Sequence, residues 1–131
     1  MLFSCYFILV IYRKTVSLQE NFPTTRLSTD MMFGLSDKVI EELHSVFRRY
    51  ANIEKVLIFG SRSKGNYRAG SDIDLAIVGK NIDYRQLLDI QCDIEELGLL
   101  YSIDILDYQK KKGTPIGDHI DRVGQTFYVA T

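Results

Sequence analysis

The sequence predicts one α/β (α+β) domain, built as a small mixed β-sheet with helices packed on one face. The chain has 131 residues, which is the length of one ordinary domain. Short β-rich runs alternate with amphipathic stretches along residues 31–131, and this alternation is typical of a sheet covered by helices. Hydrophobic residues make up 46% and charged residues 25%, a balance that is ordinary for a globular protein.

Three amphipathic helices are predicted from capping residues and from the helical spacing of apolar residues. Ser36 is a favourable N-cap for the first helix, whose apolar stripe reaches Tyr50. The second helix covers residues 83–97 and is followed by a glycine that ends it. Thr114 is a cap followed by proline at the first helical position, so a third helix begins there.

Three β-rich runs are predicted to form strands, at residues 55–59, 72–78 and 102–106. Residues 127–129 add a short final strand to this set. The first and second strands are joined by a connection rich in Gly, Ser and Arg over residues 60–70. The lysine run at residues 110–112 is expected to lie in a solvated loop.

Residues 1–30 are expected to be an N-terminal extension, with the domain itself spanning residues 31–131. Residues 1–12 are apolar and uncharged, but a membrane-spanning helix needs about 20 such residues. A secretory signal carries positive charge before its apolar run, whereas Arg13 and Lys14 follow it here. Residues 15–30 are polar and contain Pro23, as linkers do. We expect that a translation start assigned too far upstream of Met31 accounts for the extension. A buried strand or a membrane-surface anchor is the alternative for residues 1–12.

Charge and cysteine content exclude several classes of protein. Lys and Arg number 16 and Asp and Glu number 17, giving a net charge of −1. A chain with this charge does not coat nucleic acid through bulk attraction, so no direct nucleic-acid binding is expected. Cys5 and Cys92 are too few for a disulfide framework or a four-ligand zinc site. The low cysteine content indicates a reducing, cytoplasmic compartment. We expect no association with a membrane.

Acidic residues lie inside two predicted strands, where a carboxylate is costly unless something neutralises it. Asp72 and Asp74 are two positions apart on one strand, so both side chains point to the same face. Asp104 lies in the apolar run of residues 102–106. Because carboxylates on one face repel each other, they share a proton or hold a cation, and hard oxygen ligands suit Mg²⁺. For the Asp72–Asp74 pair alone, a simply solvated strand face is the alternative, and for Asp104 alone the alternative is a polar residue at a strand edge.

A phosphate-binding loop is predicted at residues 60–64, where the first strand ends. Gly60 lets the backbone turn sharply and lets a ligand approach the main chain. The amides that follow, together with the Ser61 hydroxyl, can form a concave donor site, to which Arg62 and Lys64 add positive charge. An ordinary turn is the alternative for Gly-Ser alone, and the loop is not a Walker motif. Combined with the strand acids, it predicts metal-assisted attack on a nucleotide α-phosphate, with pyrophosphate leaving.

The stretches GSRSKG, SDIDLAIV and SIDIL resemble the motifs of the DNA polymerase β-like nucleotidyltransferase superfamily. Ten residues separate Gly60-Ser61 from Asp72-Ile73-Asp74. This spacing and the small size resemble the minimal nucleotidyltransferases, many of which are antitoxins paired with a HEPN-domain toxin. The resemblance covers roughly residues 35–130 and implies the polymerase β-like fold.

The resemblance implies a reaction and a role for each motif residue. Catalysis and the binding of one or two Mg²⁺ ions fall to three acids, Asp72, Asp74 and Asp104. Nucleotide binding falls to four residues, Gly60, Ser61, Arg62 and Ser71. The implied function is that of an antitoxin that transfers AMP from ATP to a tyrosine of a cognate HEPN ribonuclease toxin. One mild departure is Ser63, where family members often have alanine.

Two alternatives to a protein adenylyltransferase stay open. One is an antitoxin that acts by binding alone, with a vestigial site, and the other is a small-molecule nucleotidyltransferase, for example one acting on an antibiotic as a homo-oligomer. The chain has no room for a second domain that grips an acceptor, so we expect a partner or second subunit to present it. Tyr67 and Arg68 are then expected on an open rim; local packing of Tyr67 is the alternative.

Overall fold

The computed structural model describes residues 32–131, which form five helices and four strands. In chain order these elements are α1 (Asp37–Arg48), β1 (Ile53–Phe59), α2 (Ser61–Lys64), β2 (Ile73–Gly79), α3 (Tyr84–Glu96), β3 (Ile103–Asp107), α4 (Tyr108–Lys111), α5 (Pro115–Val123) and β4 (Gln125–Val129). The expected extension at residues 1–30 and the expected start at Met31 lie outside the described residues. None of the helices within residues 32–131 has the length and apolar character that a membrane span requires.

The four strands form one mixed sheet in the order β3-β2-β1-β4. β1 runs antiparallel to both β2 and β4, whereas β2 and β3 are parallel. A parallel pair needs a crossover connection, and α3 supplies it between β2 and β3. The predicted α/β class with a small mixed sheet is therefore confirmed.

The main core lies between one face of the sheet and the two long helices, α1 and α3. Side chains alternate along β1 and β2, so that Val56 and Ile58 point to this face with Leu75 and Ile77 of the next strand. The helices contribute residues that are almost entirely buried, Leu43, Val46, Phe47, Ile90 and Ile94. The two long helices thus lie on one face, as predicted.

The opposite face of the sheet carries a smaller apolar cluster. Phe59 and Ala76 meet Ile120 of α5 there, with Leu57 and Val123 packed around them. Helix α5 therefore packs on the face opposite the two long helices, so the prediction of helices on one face holds for α1 and α3 but not for α5. This face also carries Asp74 of β2 and Asp104 of β3.

Helix caps agree with the sequence, but two single-turn helices were not predicted. The side chains of Ser36 and Thr114 accept hydrogen bonds from the amides of Val39 and Gly117, at 3.3 Å and 3.2 Å. Helix α2 lies within the predicted 60–70 connection, and α4 takes in part of the lysine run at 110–112 that was expected in a loop. Helices of four residues are too short to show apolar periodicity, so the sequence carries no signal for them.

Candidate active site

The three predicted acids lie together at one end of the β2–β3 pair. Asp74 and Asp104 are register partners in this parallel pair, and neighbouring strands lie about 4.8 Å apart. Asp72 directly precedes β2 and, two positions before Asp74, lies on the same side. That side is the face of Ala76 and the smaller cluster, opposite the main core.

Burial and neighbouring negative charges raise the pKa of Asp74. Loss of hydration is the largest cause, and the charges of Asp104 and then Asp72 add to it. Asp74 is half-buried, while the other two acids are exposed. Because all three causes raise this pKa, a bound cation would favour the ionised form that the site now disfavours.

Gly60 brings the main chain against the Asp74 carboxylate. Its φ of 82° and ψ of −153° lie in a region that is essentially restricted to glycine. A Cβ atom at Gly60 would lie only 2.5 Å from Oδ2 of Asp74. Glycine is therefore required here for its backbone conformation and for the space it leaves. The 60–64 loop begins in contact with the most buried of the three acids.

Hydrogen bonds from two directions hold the 60–64 loop in place. The Lys64 amide donates to the Gly60 carbonyl at 3.2 Å, which forms the single turn of α2. The Ser63 hydroxyl donates to the same carbonyl at 3.1 Å. From β4, Nε2 of Gln125 donates to the Ser63 carbonyl at 2.7 Å. The half-buried Ser61 thus follows Gly60 on a backbone that these hydrogen bonds hold.

Arg62, which was predicted to bind nucleotide phosphates, has a buried side chain that is bonded to the main chain. Its side chain is only 2% exposed. Nη1 donates to the Phe33 carbonyl at 2.9 Å, and Nη2 donates to the carbonyls of Ala69 and Ser71 at 3.2 Å and 3.0 Å. Nε also donates to Ser71, at 3.2 Å. The guanidinium is thereby bound to the main chain around the site.

Ser71 and Tyr67 both belong to the packed part of the loop. The Ser71 hydroxyl accepts a hydrogen bond from the Arg68 amide at 2.8 Å, and the Ser71 amide donates to the Arg68 carbonyl at 3.0 Å. The Tyr67 ring lies 5.2 Å from the Arg62 guanidinium and directly against Gly34. Local packing of Tyr67, the alternative to an open rim, is what the structure shows, while Arg68 is exposed as expected.

The acids fit a magnesium ion that is shared with a substrate. Within residues 32–131, no three His, Cys, Asp or Glu side chains are arranged as a complete metal-binding group. Mg²⁺ in proteins is commonly held by one or two carboxylates together with substrate phosphates and water. Asp74 and its two neighbours offer hard oxygen ligands in a negative environment, which suits that use. We therefore expect metal binding to depend on the nucleotide.

Three residues near the site escaped sequence reasoning. Gln125 and the carbonyl of Phe33 contact the loop from positions far away in the chain, and no local pattern marks such contacts. His119 of α5 meets the ring of Phe59 edge-on, with centroids 6.4 Å apart. Since Phe59 is the register partner of Asp74, this imidazole lies beside the acidic face.

Comparisons with known proteins agree with this geometry. Residues 41–130 match the family model described as "Polymerase beta, Nucleotidyltransferase". Over 58 residues the chain is 38% identical to "Putative protein adenylyltransferase MJ0604" of Methanocaldococcus jannaschii; the match covers 41% of this chain and 55% of that protein, about half its length. A crystal structure of a toxin-antitoxin with AMP-PNP has a similar fold, with a TM-score of 0.58 and 19% identity over 70% of this chain and 73% of that chain. Because the family model covers more than half of its residues, this chain belongs to the polymerase beta nucleotidyltransferase family.

Proposed function

We propose that this chain is a metal-dependent antitoxin that transfers AMP from ATP to a tyrosine of a cognate HEPN ribonuclease toxin. The observation that carries the proposal is the contact between the Asp74 carboxylate, flanked by two more acids, and the main chain of Gly60. Family membership supports nucleotidyl transfer. The relative named as a protein adenylyltransferase and the fold shared with a toxin-antitoxin support a protein acceptor.

In this proposal the three acids have different tasks. Asp72 and Asp74 would hold one or two Mg²⁺ ions, which when bound would neutralise phosphate charge and lower the pKa of the attacking hydroxyl. Gly60 has no side chain and so leaves room for the Asp74 carboxylate against the main chain of the 60–64 loop. Asp104 is exposed on the neighbouring strand, where it can accept the proton of the acceptor hydroxyl.

The proposed reaction is an in-line displacement at the α-phosphorus of ATP. The tyrosine oxygen forms a bond to this phosphorus while the bond to the α–β bridging oxygen breaks, and pyrophosphate leaves. The proton of the tyrosine hydroxyl passes to Asp104. Positioning and charge stabilisation account for most catalysis in phosphate chemistry of this kind, which agrees with a site built from carboxylates and main chain.

The acidic face is exposed, which leaves it accessible to a protein acceptor. Asp72 and Asp104 are exposed, and the part of the chain that the structure describes places no element over them. Closing such a site expels water and strengthens the electrostatic interactions inside it. A docked partner that carries the tyrosine would close the face and supply the acceptor together.

The test is incubation of the purified chain with the product of the neighbouring gene, Mg²⁺ and labelled ATP. We expect the mass of that partner to rise by one or more AMP groups on tyrosine. Asp74→Asn should still bind the partner but leave its mass unchanged and rescue cells from it poorly. Asp37→Asn, at an exposed acid on α1, is the matched control and should transfer normally.

Two outcomes would contradict the proposal in different ways. Full rescue by Asp74→Asn with an unmodified partner would leave an antitoxin that acts by binding alone. Transfer to an aminoglycoside or another small acceptor, with no label on the partner, would instead indicate a small-molecule nucleotidyltransferase.

A further inference from the structure

Arg62 is a buried cation held between two aromatic rings. The centroids of the Tyr67 and Tyr101 rings lie 5.2 Å and 5.0 Å from the guanidinium carbon. Among the described residues, its hydrogen-bond acceptors are main-chain carbonyls rather than carboxylates. Burying a charge is costly unless its hydrogen bonds and surroundings compensate, so this side chain has a structural task that a surface arginine does not have.

Two of the three carbonyls that Arg62 binds lie shortly before Asp72, the first of the acids in the proposed site. Ala69 and Ser71 end the segment that leads into Asp72, and Ser71 accepts from both Nε and Nη2. Arg62 itself directly follows Ser61 in the 60–64 loop. The Arg62 side chain therefore joins the 60–64 loop to residues 69–71, and the proposed reaction needs these two stretches of main chain side by side.

We propose that Arg62 is a positioning residue that fixes Asp72 by holding residues 69–71, and that it is not a ligand of the nucleotide phosphates. The inference rests on the function proposed above for the acids. A shift of about 1 Å in a reacting group lowers rates roughly 100-fold, so the placement of Asp72 is a sensitive quantity. Arg62 acts on the reaction through Asp72 and touches no reacting atom.

Lysine cannot replace arginine in this environment. The guanidinium is planar, which lets it lie between two rings, and it directs three nitrogens at three different carbonyl oxygens. The third of these carbonyls belongs to Phe33, in a tight turn closed by the Leu35 amide on the Met32 carbonyl at 2.9 Å. The arginine thus also ties the start of the described chain to the loop.

The first experiment measures hydrogen exchange in Arg62→Met and Arg62→Lys and needs no enzymatic activity. We expect the Ser71 amide, which is bonded to the Arg68 carbonyl, to exchange at least roughly 10-fold faster in both variants, because charged hydrogen bonds around it are lost. The amides of β1 and β2 should keep their protection. Arg68→Met, at an exposed arginine in the same loop, is the matched control and should leave all of these rates unchanged.

The second experiment measures transfer at a temperature where each variant is fully folded. A positioning role predicts that kcat falls about 100-fold in Arg62→Lys while the KM for ATP changes less than about twofold. Added guanidinium should partly restore the rate of Arg62→Ala. Tyr101→Leu removes one ring and keeps the cation, so it should lower kcat less than Arg62→Lys does. This variant tests the inference if Arg62→Met fails to fold.

A phosphate ligand would behave differently, which makes the inference refutable. A KM for ATP raised about 10-fold, with an unchanged kcat and an unchanged Ser71 amide, would overturn it. If the wild-type chain transfers nothing, the proposed function fails, yet the exchange experiment still shows whether Arg62 holds residues 69–71. Unchanged exchange in Arg62→Met would refute the positioning role in either case.

Discussion

Gly60 and Asp74 are in direct contact at the end of the β1–β2 pair, since a Cβ on Gly60 would lie 2.5 Å from Oδ2 of Asp74. The contact follows from the register, because Phe59 is opposite Asp74 and Gly60 is the next residue. The carboxylate therefore occupies the volume that any other side chain would need. The observed position of the Asp74 carboxylate therefore requires glycine at position 60.

The first prediction concerns Gly60→Ala. The methyl group would collide with the Asp74 carboxylate, and the backbone would keep a conformation that strains any L residue by about 1–3 kcal/mol. We expect the free energy of unfolding to fall by about that amount. Transfer should fall at least roughly 100-fold, because Asp74 or the loop must move. Urea unfolding and the transfer assay measure the two effects.

Gly65→Ala is the matched control for the collision. Gly65 also has a positive φ, 86°, but lies in the left-handed helical region with nothing within 4 Å of an added Cβ. We expect a loss of about 1–2 kcal/mol of stability from backbone strain alone and normal transfer. Equal loss of transfer in both variants would mean that the collision with Asp74 is unimportant.

The second prediction concerns pH and the charge of Asp74. Folding raises the pKa of Asp74 above its ordinary value of 3.8, so the folded chain binds this proton more tightly than the unfolded chain. Ionised Asp74 therefore destabilises the fold above the raised pKa, and the effect disappears as the pH falls below 3.8. Without divalent ions, Asp74→Asn should thus melt at a higher temperature than the wild type at pH 7, and the difference should shrink towards pH 4.

Magnesium and nucleotide provide the check on that interpretation. Added Mg²⁺ with a non-hydrolysable ATP analogue should raise the melting temperature of the wild type but not of Asp74→Asn. Asp37→Asn, whose acid lies in the first turn of α1, should show no gain in melting temperature at pH 7. A lower melting temperature for Asp74→Asn at pH 7 would contradict the unfavourable charge that we assign to this site.

The third prediction separates Asp104 from the other two acids. Asp104 lies on β3 and is exposed, so its proposed task is to activate the acceptor rather than to bind the nucleotide. Asp104→Asn should lower kcat roughly 100-fold and leave the Kd for the ATP analogue nearly unchanged, in line with removal of a general base. Equal losses of rate and nucleotide affinity would instead place Asp104 among the principal metal ligands.

The sequence predicts those parts of the fold that local patterns encode. The cap at Ser36 and the apolar stripe after it lie within one stretch of chain, and the observed helix begins where they indicate. The two single-turn helices, by contrast, are too short to carry an apolar pattern of this kind. Helix α4 is capped by a buried acid, Asp107, which accepts a hydrogen bond from the Gln109 amide at 3.0 Å. The sequence does not show that Asp107 is buried or that it caps a helix.

In the candidate site, too, one part was predictable from local patterns and another was not. The acids and Gly60 were predictable because a strand directs alternate residues to one face and a glycine marks a tight turn. The surroundings of Arg62 were not, because its acceptors include Phe33, 29 positions earlier in the chain. Its charge and the family resemblance suggested a phosphate ligand, whereas burial and three carbonyls favour a positioning residue.

The last prediction concerns where the folded domain begins. A chain that begins at Met31 keeps the tight turn and Leu35, which is fully buried in the main core, so it should match the full chain in melting temperature and in transfer. A chain that begins at Ser36 loses Leu35 and the Phe33 carbonyl that binds Arg62. Removal of a buried leucine costs about 2–5 kcal/mol, so this shorter chain should melt far lower and transfer poorly.

The pair of truncations distinguishes two explanations for residues 1–30. If they are an extension, only the chain that begins at Ser36 is damaged, and its loss is explained by Leu35 and by the freed guanidinium of Arg62. Unfolding or aggregation of the chain that begins at Met31 would show instead that the apolar residues 1–12 fill a place in the core. Leu35→Ala in the full chain completes the test, because it should reproduce the lost packing while the Phe33 carbonyl stays bound to Arg62.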